Sequence, residues 1–331
     1  MTSVAPILQG FFTERLTNQR QASPNTILAY RDTFKLLLRY AAAATGKNPA
    51  ELDLADLGAD QISAFLRHLE TERGNTPRTR NARLTAIRSF FSYAALNCPE
   101  HSHTIQRVLA IPQTRLQKNL VTYLDDNETT AFLSACDQTS RAGRRDHAMF
   151  TLAIQTGLRV SELIGLDRSD LHLGVAPNVH CVGKGRKERN TPLTPETVNT
   201  LTAWLKTEPG RPDAPLFATS TGRRLSRDAV ERRVSVTAAK AGEQCLSIAN
   251  KQVTAHTMRH AAAMRLLKAG VDITIIALWL GHERVSTTNI YLHADMAQKE
   301  QAIAKANPLE PGAATTRYRP SDTLIAFLES L

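Results

Sequence analysis

Aromatic side chains make up only 5% of the 331 residues, too few for rows of exposed rings on which single-stranded bases could stack. The four cysteines, Cys98, Cys136, Cys181 and Cys245, are scattered, with no C-x-x-C pair. That pattern argues against a disulfide frame and a cysteine zinc site, and it fits reduced thiols in a cytoplasmic protein. The apolar run ITIIALWLG is far shorter than the roughly 20 residues of a membrane helix. The opening MTSVAPILQGFF has no positive n-region, and its apolar run is too short for a signal peptide. No internal repeat of about 20–50 residues is visible. What the chain does have is positive charge: 41 Lys and Arg against 31 Asp and Glu, a formal +10. An excess of this size suits a polyanionic partner, nucleic acid foremost. Apolar residues at 42% allow a filled core, and the length suits two domains.

Helical spacing dominates the first third. Ser23 followed by Pro24 starts a helix to about Ala44 with Ile27, Tyr30, Phe34, Leu37 and Leu38 on one face. A second helix is expected over ADQISAFLRHLETER, ending at Gly74, and a third after Thr76 and Pro77, with Leu84, Ile87, Phe91 and Ala94 inward. The third helix carries Arg78, Arg80 and Arg83 on another face, either a solvated face or a DNA-backbone contact. A short helix from Ser102 to Leu109 comes next. Periodicity stops in IPQTRLQKNLVT; about ten extended residues could span roughly 30 Å. The expected division is a helical core DNA-binding domain over 1–112, a linker over 113–122, a second domain over 123–306, and a linker with a C-terminal docking helix over 307–331. The second domain alternates: helices over Asp125–Cys136, up to Gly157, and in LRVSELIGL; then short β-runs NVHCV and ERNTPL around a Gly-Lys-Gly turn; then helices over Pro195–Lys206, Arg227–Ala241, His256–Ala269 and Ile273–Leu280.

The stretch AHTMRHAAAM places His256, Arg259 and His260 within five residues. On a helix His256 and Arg259 share a face. A zinc helix of the form H-E-x-x-H needs a glutamate where Thr257 stands, and Arg259 would set a fixed charge beside the cation. An arginine fork and an imidazole suit an anion instead, above all a phosphate. Clustered cations do most of the work of phosphoryl transfer, which is chiefly positioning and charge stabilisation.

Further residues of that chemistry flank the stretch: Arg159 in TGLRVSEL, Lys184 in VGKGRKER, and His282 and Tyr291 in LGHERVSTTNIY. The ordered set Arg159, Lys184, His256, Arg259, His282, Tyr291 resembles the signature of the tyrosine recombinase, or phage integrase, family. The resemblance is strong from Asp125 to about Asp295 and looser in the N-terminal part. Met258 stands where the family usually has leucine, and the tail beyond Asp295 is longer than in a minimal member. The helical domain begins almost at once, which favours a simple Xer-like or transposon-encoded member.

The resemblance implies a mainly α fold with a small antiparallel β-sheet: an N-terminal helical (SAM-like) core-binding domain and an α/β tyrosine recombinase catalytic domain, together forming a clamp around double-stranded DNA. It implies that Tyr291 attacks a phosphodiester to give a 3′-phosphotyrosyl link and a free 5′-hydroxyl, without metal or ATP and with no cofactor. Arg159 and Arg259 would clamp the non-bridging oxygens. Lys184 would protonate the leaving oxygen, with Lys187 as second candidate. His256 and His282 would hydrogen-bond the phosphate, and His256 would help with the tyrosine's proton. Glu162 would orient Arg159, while His260 and His293 would pack or support. Arg186, Lys187 and Arg189 join Arg78, Arg80 and Arg83 as expected DNA contacts. Tyr318, the rival tyrosine, lies in a linker. The implied assembly is a dimer per site and a tetramer in synapsis, open to accessory recombination proteins, with Ser321–Leu331 docking on a neighbouring protomer or its own domain. A DNA-binding regulator without catalysis and a metal-dependent nuclease are the competing classes.

Overall fold

The computed structural model describes residues 2–116, 121–183, 187–282 and 285–292. The chain divides into two compact units, Met1–Lys118 and Asn119–Leu331. No helix among the described residues is long and apolar enough to cross a membrane.

The first unit is helical. It opens with α1 (Val4–Gly10), which runs on into a π-helical stretch, Phe11–Gln19; neither was expected from periodicity. Then come α2 (Pro24–Thr45), α3 (Ala59–Thr71), α4 (Pro77–Asn97) and α5 (Ser102–Leu109). The Ser23 and Thr76 side chains accept from the amides of Thr26 and Thr79, with proline in the first turn of both helices. Half of the scarce aromatics lie in this unit. Phe11 lies within 6.3 Å, ring centre to ring centre, of Tyr30, Phe34, Phe90 and Tyr93, so the unassigned first segment supplies the hub of this core. Leu84, Ile87, Phe91 and Ala94 of α4 are buried as expected.

The second unit begins with α6 (Asp126–Ser134), α7 (Arg141–Thr156) and α8 (Val160–Gly165). Next is a three-stranded antiparallel sheet, β1 (Leu171–His172), β2 (Asn178–Val182) and β3 (Glu188–Pro192), in the order β1-β2-β3. The remaining helices are α9 (Pro195–Thr207), α10 (Arg227–Gln244), α11 (Leu246–Ala249), α12 (Ala255–Lys268), α13 (Ile273–Leu280) and α14 (Asn289–Leu292). Helix α7 is buried along most of its length, with Ala148 to Ile154 all inside. Alanines 261–263 of α12 are buried too, and such small side chains let neighbouring backbones come close.

The end of α7 sets how closely three helices of this unit can meet. Gly157 adopts the left-handed conformation, φ 67°, and its amide closes on the Ala153 carbonyl at 2.9 Å. A Cβ there would stand 2.5 Å from Leu280 Cδ2 and 3.2 Å from Ala262 Cβ, so α7, α12 and α13 converge on a residue that must be glycine. Gly157→Ala is expected to destabilise the protein by about 2–4 kcal/mol, combining left-handed strain with overpacking; urea denaturation with an unchanged slope would measure it.

Candidate active site

Helix α12 begins at Thr254, whose side chain accepts from the Thr257 amide at 3.2 Å. One turn on, Arg259 points inward and is only 1% exposed. Its guanidinium donates to the Gly157 carbonyl at 2.5 Å and the Leu280 carbonyl at 2.7 Å. These oxygens cap the C-termini of α7 and α13, where unpaired carbonyls and the helix dipole both favour a cation. Burial, and then the Arg159 charge, push its pKa down to about 10, so it remains charged at neutral pH.

Arg159 leads into α8. Its amide donates to Glu162 Oε2 at 2.8 Å, its guanidinium to Glu162 Oε1 at 2.8 Å and to the Gly281 carbonyl at 3.1 Å. Glu162 also receives Arg189 from β3, at 3.2 and 2.7 Å. Burial works to raise the Glu162 pKa, but Arg189 and Arg159 outweigh it and hold the carboxyl below the usual range. Two guanidiniums thus share one carboxylate, and with Arg259 the balance of charge is positive.

Tyr291 of α14 is 1% exposed. Its ring joins an apolar cluster with Ala263, Met264, Leu267, Ile276 and Leu280. Its hydroxyl lies 2.9 Å from His260 Nδ1. Burial raises the phenol pKa to about 12, against the pull of Arg259 and Arg159. The two arginine charges thus favour the phenolate and lose to desolvation. The imidazole on the hydroxyl is His260, not His256 as the sequence suggested. His256 is exposed and stacks edge-on against His260, ring centres 4.4 Å apart; desolvation, then Arg259 and Arg159, lower its pKa. His282 Nδ1 meets the buried Thr288 hydroxyl at 2.7 Å. Desolvation first, then the arginine charges, take its pKa to about 4. For His260, desolvation followed by His256 and Arg259 takes it to about 3.

The structure brings Arg159, Glu162, His256, Arg259, His260, His282 and Tyr291 together. Lys184, Arg186, His293, Tyr318 and the segment Ser321–Leu331 lie outside the described residues. Lys187 is exposed beside the β2–β3 turn. Among the expected DNA contacts Arg189 differs: its fork is taken by Glu162 and its side chain is 14% exposed. Strand alternation could have shown this, since Arg189 stands opposite buried Cys181 and two residues before buried Thr191. Of the α4 arginines, Arg78 is exposed. Arg80 donates to the Pro112 carbonyl at 3.1 Å and Arg83 to Thr33 Oγ1 at 3.4 Å, so both brace their own unit and the free basic face is narrower than expected. Sequence reasoning also missed the carbonyls of Gly157, Leu280 and Gly281; a glycine ending each helix was the available signal.

The phage integrase family matches residues 122–298, and its N-terminal SAM-like domain matches residues 10–97. The chain is 49% identical to the putative integrase/recombinase y4rC of Sinorhizobium fredii, over 99% of this chain and 98% of the relative. It is 33% identical to the tyrosine recombinase XerC of Rhodospirillum centenum, over 88% and 84% of the two chains. Among solved structures it resembles the XerH site-specific recombinase bound to palindromic difH substrate in a post-cleavage complex, with a TM-score of 0.70 and 22% identity over 86% of this chain and 81% of that one; the likeness is one of fold.

The lowered imidazole pKa values have a consequence for stability. The unfolded chain protonates both rings near pH 6.5, whereas the native rings wait until about 4 for His282 and 3 for His260. Their stabilisation is complete above about pH 6.5 and is lost as pH falls toward 3–4. Calorimetry should show a Tm on the order of 5 °C lower at pH 5 than at pH 7.5, with the drop reduced in His260→Gln.

Proposed function

The chain belongs to the phage integrase family of tyrosine recombinases, and on that footing we propose that Tyr291 is the nucleophile of a site-specific DNA strand exchange. The substrate is double-stranded DNA. The Tyr291 phenol oxygen forms a bond to the scissile phosphorus as its proton passes to a base, the role read for His256; the bond from phosphorus to the 5′-oxygen breaks, and the leaving oxygen takes a proton to become a 5′-hydroxyl. The product is a 3′-phosphotyrosyl link. Its phosphodiester-like energy is retained, so attack by a 5′-hydroxyl on the exchanged strand reverses the step without ATP.

One observation carries this reading: two helix C-termini and one glutamate hold the guanidiniums of Arg159 and Arg259 within electrostatic reach of a buried tyrosine. Such an excess of fixed positive charge suits a phosphate whose charge grows in the transition state. Arg159 and Arg259 contact the non-bridging oxygens, with Glu162 and Arg189 steadying the first of them. His256 and His282 donate hydrogen bonds to the phosphate. Lys184 protonates the leaving oxygen, with Lys187 the second candidate. Arg78, Arg186 and Lys187 meet DNA phosphates away from the reacting centre. The protein works in the cytoplasm as a dimer on each site and a tetramer in synapsis, serving a mobile element or replicon resolution.

A nicked suicide target in magnesium-free buffer tests the reading. The parent should give an SDS-resistant protein–DNA adduct that disappears in Tyr291→Phe; an adduct that persists in Tyr291→Phe would assign the attack to another residue, and no adduct from either protein, with equal DNA binding, would leave a DNA-binding regulator in its place. Arg259→Lys loses the planar fork and should slow adduct formation by about 10²–10³. DNA affinity should also fall steeply with salt, and the log–log slope should become less negative by about one for each phosphate-contacting charge removed, Arg78→Ala being the case to measure by filter binding.

A further inference from the structure

The hydroxyl proposed to attack DNA has its hydrogen bond to an imidazole, not to an arginine. Tyr291 Oη lies 2.9 Å from His260 Nδ1, and the two rings meet edge to face with centres 5.5 Å apart. The phenol is walled by side chains of α12 and α13 and is 1% exposed. Arg259 lies one residue before His260 on α12, yet its described bonds run to the carbonyls of Gly157 and Leu280. Nucleophile and cations are thus within electrostatic reach of one another but joined to different partners.

A neutral imidazole has one donor and one acceptor nitrogen, and a phenol can donate or accept. With the ring proton on Nε2, Nδ1 accepts from the Tyr291 hydroxyl. An imidazole with a pKa of about 3 has little hold on the proton of a phenol at about 12. In this arrangement His260 holds the phenol without ionising it. Its surroundings enforce this: burial first, then the His256 ring stacked at 4.4 Å and the Arg259 charge, oppose a cation on the ring.

We propose that His260 is a positioning residue that parks Tyr291, accepting the hydrogen bond of its hydroxyl in the DNA-free protein and so keeping the nucleophile buried and protonated until DNA draws it toward the arginines. The device separates holding from activating. The apolar bed and the imidazole acceptor favour the neutral phenol, whereas the charges of Arg159 and Arg259 favour the phenolate; a phosphate held between them sets the target that the hydroxyl must reach. The meaning of the parking for catalysis rests on Tyr291 being the nucleophile; the parking itself does not.

The test uses the DNA-free full-length chain. Parent, His260→Leu and His260→Asn are treated with N-acetylimidazole near pH 7.5, and acetylation is read at Tyr291 and Tyr123 by peptide mass spectrometry. Leucine keeps apolar packing and removes the acceptor; asparagine places an acceptor oxygen at the δ position that Nδ1 holds. The expected result is a rise of about fivefold or more in the Tyr291-to-Tyr123 labelling ratio for His260→Leu, largely reversed in His260→Asn. An unchanged ratio in His260→Leu overturns the proposal, as does a rise that is equally large in His260→Asn, because general loosening needs no acceptor. Should His260→Leu fail to fold, His260→Ala takes its place: it too lacks the acceptor, and the same ratio decides. Adduct loss in Tyr291→Phe and labelling without DNA are separate readouts, so either reading can fail while the other stands.

Discussion

The buried guanidinium of Arg259 is the constraint on which the catalytic unit is organised. An unpaired charge in a protein interior is costly, and it persists only where dipoles or counter-charges replace water. Here the replacement comes from main-chain carbonyls at the ends of α7 and α13. Those oxygens are free because both helices stop in left-handed glycines, Gly157 at φ 67° and Gly281 at φ 64°. The same Gly281 carbonyl receives Arg159, so one helix end serves both arginines. The helices must converge before the guanidinium can be held, and the charge in turn fixes how they converge. A lysine could not bridge two such carbonyls in the plane of one rigid group.

Around this centre two opposing effects act on Tyr291. Arg259 and Arg159 favour the phenolate, while the apolar bed of Ala263, Met264, Leu267, Ile276 and Leu280 favours the neutral phenol. Desolvation wins in the DNA-free chain. The same burial drives His260 and His282 well below an ordinary imidazole. A site gathered to bind an anion is thus, before the anion arrives, one in which histidines are neutral and the tyrosine is protonated.

Much of the fold was readable because its signals are local. Ser23 with Pro24 and Thr76 with Pro77 mark helix starts through side-chain caps, and the spacing of Leu84, Ile87, Phe91 and Ala94 marks an inward face. The first segment escaped because Phe11 and Phe12 are adjacent and Val4, Ile7 and Leu8 too few for a clear period; its helical turns are held by contacts with residues 30–93. The order of charged residues from Arg159 to Tyr291 was legible as a resemblance. Their partners were not, since Gly157, Leu280 and Gly281 contribute carbonyl oxygens, which every residue carries.

The order of amino acids was enough to settle the helical class, the small β-hairpin, the excess of positive charge and the residue types of an anion site, because periodicity, capping and charge act over a few neighbouring positions. Packing in three dimensions was needed to assign Arg189 to Glu162, to turn Arg80 and Arg83 into braces of their own unit, and to set His260 against the Tyr291 hydroxyl in place of His256. Each of these depends on which of several similar side chains a distant element packs against, and on a balance between burial and charge that exists only once the chain has closed around them.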